Sequence, residues 1–369
     1  MHRLACANAA AELAASSQGV FLIRVAVREV LMTIRESRTL AVSAVYGAAI
    51  ALAVGAALAA QSGAPTAKPS VPRRTAWTAP RTPWGEPDIS GIVTNVFEAS
   101  TPFERPEQFA GRRRDEITGE ELAKFRASLQ QRTRDNFEGP LHGPDHWWQD
   151  VYDLTKGGAA WFVIDPPDGK VPAMTEEGRR RAAAGNVRGS YSEDSSWRGP
   201  EDFTLYDRCI TRGVPGSMMP AIYGNSYEIS QAPGIVAIRY EMIHETRVIP
   251  IDGRPHAGKK LRFDMGDARG HWEGGTLVVE TTNFTARSAY RNANAESLTL
   301  VERFTRTAPD KIMWTVTVDD PRTWVSPWTF GMPLTILNTE PVMPYECHEG
   351  NIGLKDMLEV ARAHDRDAR

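Results

Sequence analysis

At 369 residues the chain is long enough to hold one large or two modest domains with a full core. Its 43 Lys and Arg stand against 46 Asp and Glu; without the five arginines and three acids of residues 1–60, 38 bases face 43 acids. That mildly acidic balance excludes the electrostatic footprint of a nucleic-acid binder, and the absence of GxSxG, HExxH, Walker and GxGxxG patterns withdraws support from serine-hydrolase, zincin, P-loop and Rossmann readings.

Arg35 and Arg38 precede an uncharged Ala-, Val- and Leu-rich stretch from Thr39 to Ala67, with a small-residue cleavage site at Ala57-Leu58-Ala59. This is the pattern of a secretory signal peptide over 32–60, which makes 1–31 an over-extended start with translation beginning at Met32. An uncleaved membrane anchor is the alternative, since about 20 apolar residues span a bilayer. Cleavage leaves a periplasmic or secreted protein without a membrane span. Residues 61–91 carry prolines at 65, 69, 72, 80, 83 and 87 and read as a linker that begins to dock near Trp84.

Two parts follow: 92–224, loop-rich and mixed α/β, and 225–360, antiparallel β, packed together as one unit. Thr118 with Glu121 three residues on predicts a helix start, running to about Arg132. His142, His146 and Asp150 have metal-ligand spacing on a helix, but Gly143 and Pro144 oppose that helix. Trp161 to Asp165 predicts a short strand ended by Pro166-Pro167-Asp168-Gly169. Thr175 to Gly185 predicts a helix with Glu176 and Glu177 early and Arg179 to Arg181 late, as the helix dipole prefers.

From Tyr227 to Phe284 short strand patterns are separated by Gly, Pro and Asp. Read as one strand, Gly234 to Pro250 puts Val236, Ile238, Tyr240, Met242, His244, Thr246 and Val248 on one face and Arg239, Glu241, Glu245 and Arg247 on the other. His244 then lies on an apolar side. Glu280 shares a face with Val278 and Thr282. Residues 297–306 alternate again, with Glu302 an acid among Leu298, Leu300 and Phe304, and a turn at Ala308-Pro309-Asp310 pairs this strand with one carrying Ile312, Trp314, Val316 and Val318 inward. Another strand over Thr329–Leu337 and a helix over Gly353–Ala363 complete a mainly β chain with short N-terminal helices and a C-terminal helix. Closure into an antiparallel barrel, lipocalin-like among the choices, or pairing with a second sheet would remove its edges.

Of three cysteines, Cys6 precedes the signal, leaving Cys209 and Cys347 to form a disulfide in an oxidising compartment. A catalytic thiol at Cys347 beside His348 is the rival reading.

Several blocks resemble a family of uncharacterised exported bacterial proteins: PRTPWGEPDISGI at 80–92, VIDPPDGKVPAMTEEG at 163–178, the RCI around Cys209, EMIHETRVIPIDGRPH at 241–256, GDARGHWEGGTLVVETTNF at 266–284, LVERFTR at 300–306 and YECHEGNIGL at 345–354. The resemblance implies export and no particular activity. Its pattern is matched at His244, Arg254, His256, Asp267, Arg269, Trp272, Glu273, Glu302, Cys347, His348 and Glu349; His271 falls where the pattern often has Arg, and 142–161 departs from it.

Two functional readings stand side by side. One is an acid/base enzyme (hydratase, lyase, isomerase or hydrolase) acting on a small, partly apolar substrate in a barrel cavity. His244 would be the acid or base, Glu302 or Glu280 its carboxylate, and Arg269 or Arg247 the stabiliser of developing charge. Tyr240, Arg247, His256, Trp272 and His348 would bind substrate. The other is a non-catalytic envelope protein binding a hydrophobic or glycan ligand, with Trp147, Trp148, Trp272, Trp324 and Trp328 lining a pocket, although most tryptophans merely fill cores. No cofactor is expected, and a metal centre from His244, His256, His348 and Glu349 lacks a ligand spacing that enforces convergence. The oligomeric state is left open.

Overall fold

The computed structural model describes residues 77–137, 153–184, 197–221, 223–339 and 341–367. The signal-like stretch, His142, His146, Asp150, Trp147 and Trp148 lie outside them.

Among the described residues the chain is mainly β: a nearly closed antiparallel barrel with three α-helices. Its strands are β1 (Gly91–Thr94), β2 (Val163–Asp165), β3 (Ser226–Ala232), β4 (Ile235–Tyr240), β5 (Thr246–Pro250), β6 (Asp267–Glu273), β7 (Thr276–Thr282), β8 (Thr299–Ala308), β9 (Lys311–Asp319) and β10 (Trp328–Ile336). The helices are α1 (Gly119–Phe137), α2 (Glu176–Ala183) and the C-terminal α3 (Ile352–Asp367). The strand order around the wall is β5-β4-β3-β1-β10-β9-β8-β7-β6. One side of β10 runs along β9; the other takes β2 at one end, Phe330 opposite Val163, and β1 at the other, Thr335 opposite Thr94.

At the seam, β6 approaches β5 where Gly270 has no side chain; a Cβ there would lie 2.7 Å from Ile251 Cγ2 and 3.0 Å from Ile249 Cγ2. The missing methyl lets the two edges close on each other. Tight turns join the hairpins, Gly234 (φ 80°) between β3 and β4 and Gly274 (φ 59°) between β6 and β7, conformations that glycine adopts without steric cost.

The inward residues alternate along each strand. Leu277 and Val279 on β7, Leu300 and Phe304 on β8, Ile312, Trp314, Val316 and Val318 on β9, and Trp328, Phe330, Met332 and Leu334 on β10 form one core with Tyr227, Ile229, Val236, Ile238 and Tyr240. The predicted β8–β9 hairpin is present, Glu302 opposite Val316 and Phe304 opposite Trp314.

The stretch 234–250 is two strands. β4 ends at Tyr240 and the chain turns through 241–245, with Ile243 (φ 64°) and His244 (φ 44°) both left-handed. Ile238 is the cross-strand partner of Arg247. Directly opposed residues share a face, so the inward side passes from even positions on β4 to odd positions on β5. Arg247 and Ile249 therefore point in, Val248 points out, and His244 is on an exposed turn instead of an apolar face.

α1 continues to Phe137, beyond the expected Arg132, and packs Phe125 and Leu129 against Phe109, Ile117 and Trp161. Thr175 caps α2, accepting a hydrogen bond from Gly178 N at 3.0 Å. Cys209 and Cys347 form the expected disulfide, with Cα atoms 5.6 Å apart, and α3 lays Leu358 and Ala361 on Trp197 and Phe203 nearby in the same layer.

Candidate functional site

The barrel interior contains a charge pair. Arg247 on β5 reaches across to β8, where Nη2 lies 2.6 Å from Glu302 Oε2, and donates to Thr281 Oγ1 on β7 at 2.7 Å. Glu302 is fully buried, and its Oε1 accepts from Trp314 Nε1 at 3.2 Å. Tyr240, also buried, sets its hydroxyl against Arg247. Burial opposes the charge of Arg247, but Glu302 and Tyr240 outweigh it and hold the guanidinium above its ordinary value. Burial pushes the Tyr240 hydroxyl up, so it stays neutral and faces the guanidinium with its oxygen as acceptor.

This group is incompletely satisfied. Arg247 Nε and Nη1 are buried and have no partner in hydrogen-bond geometry, and Glu302 Oε2, although close to Nη2, receives no well-directed bond. Buried polar atoms are almost always paired, so such a set marks either a cost the fold tolerates or a place for a further partner.

Above the pair stands a column of aromatic rings. Trp314 has Phe304 at 6.3 Å and Phe330 at 5.9 Å; Phe330 has Trp328 at 5.8 Å, Phe103 at 5.4 Å and Tyr290 at 6.2 Å. The guanidinium of exposed Arg291 lies 3.9 Å above Phe103, closing the column with a cation–π contact. Trp328 is buried with its Nε1 unpartnered. The column is thus apolar along its length and part of the packed core, and it meets the polar group at Trp314, whose Nε1 donates to Glu302.

A second constellation lies on the outer surface of β6 and β7. His256, in the loop after β5, places Nδ1 3.2 Å from Asp267 Oδ2 and Nε2 3.0 Å from Glu280 Oε1. Asp267 also accepts from Ala257 N at 2.7 Å and from Arg269 Nη1 at 2.5 Å, while Arg269 Nε donates to Pro255 O. Glu280 is half exposed. An imidazole held on both nitrogens by carboxylates can exchange a proton with either, and the exposed acid gives it a route to solvent.

The structure therefore divides the sequence candidates. Tyr240, Arg247 and Glu302 meet inside the barrel; His256, Arg269 and Glu280 meet outside it, because Glu280 is an outward position of β7 while its neighbour Thr281 points in. His244 belongs to neither group. It sits on the β4–β5 turn, 3.7 Å from Glu346, so it does not face Glu302 across a common hollow. His348 is exposed. Trp272 packs partly buried against the core edge with its Nε1 unpartnered. Among the described residues no group of three or more His, Cys, Asp or Glu is arranged to hold a metal ion.

One residue of the barrel site and one buried structural cation lie outside the sequence candidates. Thr281 was hidden behind Glu280 in LVVETT, although it shares the inward parity of Leu277 and Val279. Arg126 sits on the apolar stripe of α1, four residues after Leu122 and three before Leu129, a position where a charge signals a buried partner.

No family model matches the sequence, and no curated protein does. Among solved structures, a secretary abundant heat soluble (SAHS) protein from Ramazzottius varieornatus is 11% identical, over 36% of this chain and 87% of that one, with a TM-score of 0.23. So slight a likeness carries no argument about this chain.

Proposed function

We propose that this is an exported, non-catalytic binding protein whose barrel takes a small, partly apolar molecule, its apolar body along the aromatic column and a carbonyl or hydroxyl oxygen at Arg247. The observation that carries the reading is the pair of buried, unpartnered donors on Arg247 beside an equally buried Glu302. Glu302 balances the charge, so a neutral polar group suits the position better than a full anion. Membership of the exported family that the sequence blocks resemble is part of the same proposal. The signal-like stretch at 32–60 and the Cys209–Cys347 bridge support export to a periplasmic or extracellular compartment. Fractionation of cells followed by N-terminal sequencing tests export; a cytosolic chain that still begins at or before Met32 would refute it.

The binding test is a screen of hydrophobic and glycan libraries by tryptophan fluorescence and native mass spectrometry, repeated on Arg247→Met/Glu302→Leu. A saturable ligand whose affinity falls at least tenfold in that variant is expected. Undiminished affinity would move the site out of the barrel.

An acid/base enzyme is the second reading, and one observation favours it: His256 clamped between Asp267 and half-exposed Glu280. In this reading Glu280 and His256 move the proton and Arg269 fixes Asp267. Turnover of any library compound that disappears in His256→Asn and Glu280→Gln would establish it; turnover retained in both would remove it.

A further inference from the structure

Arg114 has a partly buried side chain and no carboxylate partner among the described residues. It opens the helical turn Arg114–Glu116, and its Nη1 donates to three backbone carbonyls, Gly331 at 2.6 Å, Trp161 at 3.2 Å and Phe162 at 3.3 Å. These contacts hold the residue against β2 and β10. The neighbouring acid is already taken: Asp115 receives Arg113 Nε at 3.0 Å and Nη2 at 3.1 Å.

Arg114 Nε and Nη2 donate to no residue of the described chain, and the side chain borders a cavity of about 270 Å³ lined also by Ile164, Asp165 and Pro167 and by the Arg113–Asp115 ion pair, whose charges offset each other. That volume is near the lower end of ligand pockets, roughly 300–1,000 Å³, which limits the occupant to a small molecule. With Nη1 fixed on the carbonyls, the free edge of the guanidinium is the Nε–Nη2 side, two parallel donors that match the two oxygens of an oxyanion. Burial lowers Arg114 to about 10, so the group is still a cation at neutral pH, and an incoming anion would offset that desolvation by charge attraction.

Two features narrow the anion. Ile164 and Pro167 offer apolar surface. Asp165 is exposed at the rim and has no ion-pair partner among the described residues, which disfavours a doubly charged group.

We propose that this cavity, separate from the barrel interior, binds a small monocarboxylate, its two oxygens on Nε and Nη2 of Arg114 and its hydrocarbon part against Ile164 and Pro167.

The test is isothermal titration of the full chain with benzoate, acetate and inorganic phosphate. Saturable one-to-one binding of benzoate is expected, with phosphate at least tenfold weaker. Arg114→Lys, which keeps the charge and loses the paired donors, should weaken benzoate at least tenfold. Because that change also touches the Gly331 carbonyl, Ile164→Trp serves as the second variant: it fills the cavity, leaves the Arg114 contacts in place and should abolish binding. Arg247→Met/Glu302→Leu should leave benzoate affinity unchanged, which distinguishes this site from the barrel. No saturable heat with benzoate, equal binding in both cavity variants, or phosphate binding tighter than benzoate would each overturn the proposal.

Discussion

Among the described residues two Arg–Glu pairs are buried, and they are built differently. Under α1, Arg126 and Glu98 are both sealed from solvent, and all three guanidinium nitrogens are engaged: Nε with Leu154 O at 2.7 Å, Nη1 with Glu98, Thr101 Oγ1 and Ala159 O, and Nη2 with Phe97 O. Glu98 takes Gly158 N on its other oxygen at 2.5 Å. In the barrel, Arg247 meets Glu302, Thr281 and Tyr240 and leaves two nitrogens without partners. Burial raises the Glu98 carboxyl and lowers Arg126, yet the pair is fully wired into the backbone; Arg247 is held above its ordinary value, yet it is not. The first arrangement spends its donors on the fold. The second retains donors in an apolar interior, which is why function is assigned to it.

The largest effect should come from the first pair. Arg126→Met is expected to cost about 3–5 kcal/mol in urea unfolding, since it strands Glu98. Adding Glu98→Leu should recover little of that, because the carbonyls of Phe97 and Ala159 and the amide of Gly158 stay orphaned at about 1–3 kcal/mol each. Gly157→Ala should act on the same node: its Cβ would lie 2.5 Å from Phe97 O and collide with the Arg126 guanidinium. A double variant as stable as wild type would show the node to be replaceable and would break the contrast.

The disulfide supplies a ruler that touches neither pair. Reduction of Cys209–Cys347, which are 138 residues apart, should lower stability by about 2–4 kcal/mol in the same denaturation experiment. A smaller loss than that of the barrel double variant would invert the ranking. For the barrel, Arg247→Met alone should be severe, but Arg247→Met/Glu302→Leu is expected within about 1.5 kcal/mol of wild type, because few backbone groups depend on the pair. Near-native stability combined with lost ligand binding is the outcome that separates a binding device from a structural one.

Much of this was readable from the residues. Strand alternation located Glu302 among Leu300 and Phe304 and paired β8 with β9, and the two late cysteines gave the bridge. Parity failed at 241–245, where no Gly or Pro announces the turn and Ile243 and His244 take left-handed conformations that sequence does not advertise; that one slip turned His244 outward and Arg247 inward. Arg126 shows in the sequence only as a charge on an apolar stripe and Arg114 not at all, because most of their partners are backbone carbonyls, which every residue carries and no motif records.

The smallest effect extends the comparison to half-buried acids with no arginine. Glu241 accepts from Ser226 N at 3.0 Å and Glu245 from Thr211 Oγ1 at 2.6 Å, and neither has an ion-pair partner among the described residues. Burial raises both carboxyls, against the bonds from Ser226 and Thr211, with Asp264 adding to the rise at Glu245. A folded state that holds these protons more tightly than the unfolded chain is favoured by them below the ordinary value of 4.5 and loses that contribution as pH climbs through the raised values. Glu241→Gln/Glu245→Gln removes both titrations, so the stability of wild type relative to this variant should decline with rising pH above 4.5, as read from urea midpoints across the pH range. The exposed, arginine-bonded acids Glu121, Glu177 and Glu273 are shifted the other way and act on the acid side of that window, so they do not mimic the decline. A flat difference would mean that the β4–β5 turn hydrates its acids, and the burial that distinguishes them from the surface pairs would lose its energetic meaning.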